Sequence, residues 1–314
     1  MNAIDISVVV PLHDEAQVLP AFVEALEPVL ASLERPFEIV LVDDGSRDDT
    51  GRLVDQLADR PGIVGVRLSR NFGKEAAMAA GLEAARGRAV VLMDGDLQHP
   101  VQVVPKLVAA WDMGADVVNA VKEDRGHEGL AYRAAAFGFN RLMSLATGED
   151  FERQADFKLL DRSVVDVIVD LPERTRFFRG LVGWVGFRTA EVPFRVADRA
   201  AGHTSWSTVG LVTYSLRNLV AFTSLPLRLV AAAGFTVTGL GALLGVQTLW
   251  NWARGEAVDG FTTTILSVLI IGGFILLALG VVSLYLSAIY EEVKQRPIYL
   301  VRRPPPEKRD APVP

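Results

Sequence analysis

The stretch VLMDGDLQHP, residues 91–100, ends a hydrophobic run in two acids one residue apart. Carboxylates carried to the end of a buried strand cost free energy unless a cation meets them. Asp94 and Asp96, with Gly95 between them to permit a tight backbone, could share one divalent ion if the chain turns there. Hard oxygen ligands favour Mg2+ or Mn2+, and such ions usually join protein carboxylate to substrate phosphate. A second acidic pair, Asp43 and Asp44, closes the run FEIVLVDD. Acids at strand ends hydrogen-bond ribose hydroxyls in nucleotide-binding sheets. Turn and capping chemistry explains either pair alone; the two together point to a nucleotide diphosphate.

These acids need elements that bring strand ends together. ISVVVPL, FEIVLVDD, IVGVRLS, AVVLMDGD and ADVVNAV read as strands. Helical patterns separate them: residues 17–33, a helix capped by Asp48 or Asp49, KEAAMAAGLEAA, and residues 101–113. Strands apolar throughout, alternating with helices, predict a mainly parallel α/β sheet covered on both faces. Ligands bind such sheets beyond the carboxyl ends of strands. Those ends carry Pro11 to Glu15, Asp43 and Asp44, Arg70 to Lys74, and Asp94 to Gln98, all on one edge. Further on, residues 130–145 read as a helix with Arg133 and Arg141, ADFKLLDRSVVDVIVDL as a strand and helix, and FRTAEVPFRV as a strand.

Composition narrows the class. The 314 residues carry a net charge of -6, which excludes a basic nucleic-acid binder, and contain no cysteine. Disulfides, thiolate catalysis and cysteine-held metals are therefore out. The four histidines form no HExxH pair. No charged residue falls between Leu229 and Ala253, or between Gly260 and Tyr290. Each run exceeds the roughly 20 residues that cross ~30 Å of hydrocarbon, so two transmembrane helices are expected. Arg217 and Arg228 precede them, Lys294, Arg296, Arg302 and Arg303 follow, and the connector offers only Arg254. Both ends are thus expected in the cytoplasm. The opening MNAIDISVVV lacks a basic n-region, so no signal peptide is expected. Residues 207–223 show one apolar helical face that could lie in the membrane interface or pack on the domain. GALLG, residues 241–245, is a small-xxx-small match suited to close helix packing. The proline-rich tail after Val301 is expected to be disordered.

VVVPLHDEAQVLP, EIVLVDDGSRDDT, LSRNFGKEAAMAAGL, VVLMDGDLQHP, ADFKLLDR and RFFRGLVGWVGF together resemble family 2 glycosyltransferases of the GT-A fold. The likeness is closer to the polyprenyl-phosphate glycosyltransferases, the group of bactoprenol glucosyltransferase and dolichyl-phosphate mannosyltransferase. The ending AIYEEVKQRPIYLVRR resembles the bactoprenol branch. The resemblance implies a GT-A-type, Rossmann-like sheet followed by an interfacial helix and two transmembrane helices. It divides the chain into a cytoplasmic transferase domain at 1–205, a juxtamembrane amphipathic helix at 206–224, two membrane helices at 225–290 and a cytoplasmic tail at 291–314. It implies nucleotide-sugar binding by Pro11, Glu15, Asp43, Asp44, Lys74, Asp94 and Gln98, and a metal on Asp94, Asp96 and Gln98. Asp156 matches an acid near the acceptor, Arg133 a basic position near the lipid phosphate, and Arg176 and Arg179 a segment that could hold phosphate. Asp156 and Asp96 are the expected catalytic residues.

The implied reaction moves a sugar from a nucleotide diphosphate sugar, UDP-glucose by default, to undecaprenyl phosphate at the cytoplasmic membrane. A homo-oligomer is left open. Three departures stand out. Asp14 replaces the family's usual Asn, Pro100-Val101-Gln102 replaces Pro-Pro-Glu, and Ser205 stands where Gly-x-Ser-Lys-Trp has lysine. A processive polysaccharide synthase is the first rival, but the chain lacks Gln-x-x-Arg-Trp. A non-catalytic membrane scaffold is the second, and the intact Asp94, Asp96 and Asp156 argue against it.

Overall fold

The computed structural model describes residues 3–122, 154–174, 176–195, 220, 223–255 and 260–302. Arg133 with its expected helix, nearly all of 206–224, Ser205, and residues after 302 lie outside the described residues.

Seven strands form one sheet in the order β3-β2-β1-β4-β6-β5-β7. They are β1 (Ile6–Leu12), β2 (Phe37–Asp43), β3 (Ile63–Arg67), β4 (Ala89–Leu92), β5 (Val117–Lys122), β6 (Gln154–Asp161) and β7 (Thr189–Phe194). Helices α1 (Leu19–Ala31), α2 (Thr50–Ala58), α3 (Lys74–Ala84), α4 (Val104–Asp112), α5 (Arg162–Asp170) and α6 (Phe178–Trp184) alternate with them. A 3-10 turn at Val101–Val103 leads into α4. Two cores explain the unbroken apolar runs. Ile6, Val8 and Val10 meet Phe22, Leu26 and Leu107 on one face. Val9, Val40 and Val42 meet Met78, Leu82 and Phe178 on the other.

Strand β6 alone runs against its neighbours, antiparallel to both β4 and β5. Its beginning therefore lies at the edge where the other strands end. Leu92 pairs with Lys158, and continuing that register by two residues sets Asp94 opposite Asp156. Asp161 ends β6 and caps α5, its Oδ1 accepting from the Ser163 amide at 2.9 Å.

The chain divides into two compact units: Met1–Trp206 with Arg296–Pro314, and Ser207–Gln295. The second unit holds α7 (Leu225–Ala253) and α8 (Phe261–Val293). Within them, Leu225–Asn251 and Ser267–Val293 are 27 residues each, long and apolar enough to cross a membrane. Such a length spans ~40 Å as helix. Large apolar side chains such as Phe235 and Leu276 lie open on these helices. Tyr285 Oη of α8 donates to the Thr223 carbonyl at 2.6 Å. A Cβ at Gly241 or Gly245 would meet nothing, so their pattern makes no close packing among the described residues.

Residues 299–302 belong to the first unit and cover an edge of its sheet. Ser69 N donates to Leu300 O at 2.8 Å, Arg302 N to Arg67 O at 2.7 Å, and Tyr299 Oη meets Glu83. The otherwise open β3 edge is thereby paired.

Candidate active site

The loop after β2 sets the floor of the site. Asp44, buried and with its pKa pushed up by that burial, accepts from Phe72 N at 2.7 Å and Gly73 N at 2.9 Å. Gly73, at φ 99, adopts a backbone that favours glycine, and Lys74 follows as the first residue of α3. Asp43 is equally engaged: Oδ1 accepts from Ser46 N at 3.0 Å and Oδ2 from Arg67 Nε at 3.3 Å. Asp44 thus holds the loop that delivers Lys74, while Asp43 ties the β2–α2 loop to Arg67 of β3. Asp14 sits at φ 55, a conformation that Asp and Asn tolerate, and its Oδ1 accepts from Arg47 N at 2.7 Å. The shared tolerance explains why Asp can stand in for Asn here. Pro11 lies in β1 beside Val42 of β2.

Past β4 the chain turns through Gly95. A Cβ there would come within 2.6 Å of the Leu12 side chain and 2.8 Å of Glu15 Oε2, so any larger residue would have to displace these two side-chain ends. Leu97 holds φ 60 between Asp96 and Gln98, an uncommon and strained backbone. Asp96 Oδ1 accepts from Gln98 N at 3.0 Å, which closes the turn.

Lys74 joins the two strand ends. Its Nζ lies 2.6 Å from Asp94 Oδ1 and 2.7 Å from Asp156 Oδ2. Burial acts to lower its pKa, but the charges of Asp156 and Asp94 prevail and hold the ammonium above its ordinary value. Arg179 Nε meets the other oxygen of Asp156 at 2.6 Å. Burial alone would raise the Asp156 pKa; Lys74 and Arg179 instead hold the carboxyl well below the usual range. Arg176 is engaged elsewhere. Its guanidinium donates to the carbonyls of Leu171 at 3.0 Å, Glu173 at 3.2 Å and Val169 at 3.4 Å, around the end of α5. Basic side chains commonly satisfy helix-end carbonyls in this way.

Three ionisable neighbours escape the sequence reading. Burial pushes Lys158 down to about 8, and its Nζ has no hydrogen-bond partner among the described residues. Glu75 is pushed up to about 7 by burial and by Asp156, and accepts from Phe178 N at 3.0 Å. His99 stacks on Phe157 at 5.1 Å, with Nδ1 4.0 Å from Asp94 Oδ2. The available signals were weak. Lys158 follows Asp156 by two residues and so shares its face of the strand, and Glu75 follows Lys74.

The acidic turn fits a hard divalent cation. Glu15 is pushed up to about 8 by burial and by the charges of Asp96 and Asp94, and its Oε2 is buried without a hydrogen-bond partner among the described residues. That is an excess of carboxylate oxygen over cationic partners. Among the described residues no three His, Asp or Glu converge into a complete cage. A site completed by water and substrate phosphate suits Mg2+ or Mn2+.

Comparison with known proteins identifies the family. Residues 7–169 match the family model for glycosyl transferase family 2. The uncharacterized glycosyltransferase sll0501 of Synechocystis is 38% identical over 95% of both chains. The SfII prophage-derived bactoprenol glucosyl transferase of Shigella flexneri is 36% identical over 95% of this chain and 97% of that one. Among solved structures, glucosyl-3-phosphoglycerate synthase from Mycobacterium tuberculosis, in complex with Mn2+, UDP-glucose and phosphoglyceric acid, aligns over 69% of this chain and 77% of that one. The identity is 22% and the TM-score 0.47. This chain is a glycosyltransferase belonging to glycosyl transferase family 2, with a bactoprenol glucosyl transferase among its full-length relatives.

Proposed function

We propose that the protein transfers glucose from UDP-glucose to the phosphate of a polyprenyl lipid, undecaprenyl phosphate, at the cytoplasmic face of a membrane. The observation that carries this reading is the meeting of Asp94, Asp156, Lys74 and Arg179 where β4 ends and β6 begins. It sets candidate diphosphate ligands beside a basic group able to hold a second anion. The bactoprenol relative supports the sugar and the lipid, and α7 and α8 support the membrane.

The acceptor phosphate is already an anion near neutral pH, since its second pKa is about 6. Its oxygen attacks the anomeric carbon as the bond from that carbon to the diphosphate breaks, and the nucleoside diphosphate leaves with the electron pair. One in-line displacement inverts the centre and gives a β-linked product from an α-linked donor. A divalent cation held by Asp94 and Asp96 would supply Lewis-acid stabilisation of the leaving diphosphate. Pro11, Glu15, Asp43 and Asp44 frame the nucleotide end of the same edge. Arg179, with Arg133, holds the acceptor anion. Asp156 orients rather than deprotonates, because a carboxyl held far below neutrality is a poor base.

The test is a panel of radiolabelled donors, UDP-glucose, GDP-mannose, UDP-N-acetylhexosamine and UDP-amino-arabinose, each offered with undecaprenyl phosphate and Mg2+ or Mn2+. Label entering the lipid phase from UDP-glucose alone supports the reading. Label only from another donor replaces the sugar, and no label from any donor overturns the reaction.

A further inference from the structure

Lys74 occupies the space between two acids that the reaction needs separately. Its ammonium touches Asp94, a candidate metal ligand, and Asp156, the acid beside the acceptor. Both contacts are short, and Asp44 fixes the loop from which α3 and Lys74 begin. A divalent ion binding Asp94 through either oxygen would share that carboxylate with an ammonium 2.6 Å from Oδ1. Two cations on one carboxylate repel, and in a partly desolvated edge that repulsion is poorly screened. Lysine is a point charge on a flexible four-carbon stem with three donors, so it can exchange one anion for another without moving its helix. A diphosphate arriving at the same edge offers it such an anion.

We propose that Lys74 is an internal counter-cation that closes Asp94 to divalent metal until a diphosphate draws the ammonium away, so that metal and donor nucleotide bind cooperatively. This rests on the reading of the site as one for a nucleotide diphosphate and a divalent ion. Without nucleotide, Lys74 neutralises both acids and metal binds weakly. With nucleotide, Lys74 turns to the phosphates and Asp94 is freed for the metal. Part of the cooperativity therefore belongs to the protein, beyond the ligands that the phosphates themselves give the metal.

The test is calorimetric titration of the full-length protein in detergent with Mn2+ alone, and with Mn2+ in saturating UDP. Wild type, Lys74→Gln, Lys74→Met and Lys74→Arg are compared. Removing the charge should tighten Mn2+ binding in the absence of UDP by roughly tenfold and shrink the enhancement by UDP by a similar factor, a coupling of ordinary allosteric size. Lys74→Arg keeps the charge and should stay near wild type. Unchanged Mn2+ affinity in both neutral variants overturns the proposal while leaving the metal site intact. Failure of wild type to bind Mn2+ under either condition overturns the site reading and the proposal with it. Should neither neutral variant fold, wild type labelled with 15N-lysine gives the same answer. UDP without metal should shift the Lys74 ammonium resonance, identified by its absence in Lys74→Arg, and an unshifted resonance in UDP-bound protein overturns the proposal.

Discussion

Replacing Asp156 by Asn separates a base from an orienting group. The carboxylate receives Lys74 at 2.7 Å and Arg179 at 2.6 Å. Breaking a buried ion pair costs ~3–5 kcal/mol. Here the Lys74 and Arg179 side chains are 39% and 34% exposed, and Lys74 keeps Asp94. Solvent screening therefore reduces the cost to about 1–2 kcal/mol, a fall in Tm of roughly 2–8 °C for a domain of this size. The pH dependence has a definite sign. A carboxyl held below its ordinary value stabilises the fold above about pH 4 and loses that contribution as pH falls through the folded value. The Tm gap between wild type and Asp156→Asn should be constant from about pH 5 to pH 8 and close in acid. Turnover should drop by one charge-assisted hydrogen bond, about 1.5–3 kcal/mol, which is roughly 10- to 150-fold. The assay is initial-rate transfer to undecaprenyl phosphate from pH 6 to pH 9, beside thermal unfolding followed by tryptophan fluorescence. A variant inert at pH 6 that recovers steeply above pH 8 would identify Asp156 as a general base. Unchanged Tm and turnover would refute the contacts themselves.

Other outcomes follow from the same geometry. Asp96→Asn should lower turnover more than a thousandfold, several kcal/mol of lost metal stabilisation, with little loss of Tm; purified variant turning over within tenfold of wild type would remove Asp96 from the metal site. Glu15 has its pKa raised to about 8, so its ionisation weakens the fold as pH rises from about 4.5 to about 8; Glu15→Gln should unfold at a higher temperature than wild type at pH 8 and at the same temperature near pH 4, and a lower Tm at pH 8 would contradict this. Ending the chain at Phe222 removes both apolar helices and the strap on β3. UDP binding should survive with a lowered Tm, transfer to undecaprenyl phosphate in liposomes should fall at least tenfold, and a short water-soluble prenyl phosphate should restore part of it, because enforced proximity is lost. Lost UDP binding would make the helices or the strap part of the transferase fold, and undiminished transfer in liposomes would make the helices dispensable.

Much of the parallel sheet was legible because β1, β2 and β4 are buried on both faces and say so in unbroken apolar runs. The acidic edge was legible for the same reason: a parallel sheet puts its strand ends together. What the sequence does not display is register. Asp94 meets Asp156 only because β6 enters antiparallel beside β4, and pairing between distant segments leaves no local mark. The place of Asp43 and Asp44 at a strand end was legible, but their partners, and those of Arg176, were not. The backbone amides and carbonyls that these side chains engage are brought to them by the folded path of the chain, which leaves no local mark. The strap at residues 299–302 was equally hidden, since a short segment pairs with an edge strand through backbone groups that every residue carries.

The most direct measurement is transfer from UDP-[14C]glucose to undecaprenyl phosphate by the purified full-length protein, with and without EDTA, followed by NMR of the lipid product. The expected product is a glucosyl phospholipid with a β linkage, formed only when both the lipid phosphate and a divalent ion are present. An α-linked product would contradict the single displacement. Label transferred in EDTA, or to undecaprenol lacking phosphate, would contradict the roles given to the acidic edge and to the acceptor anion.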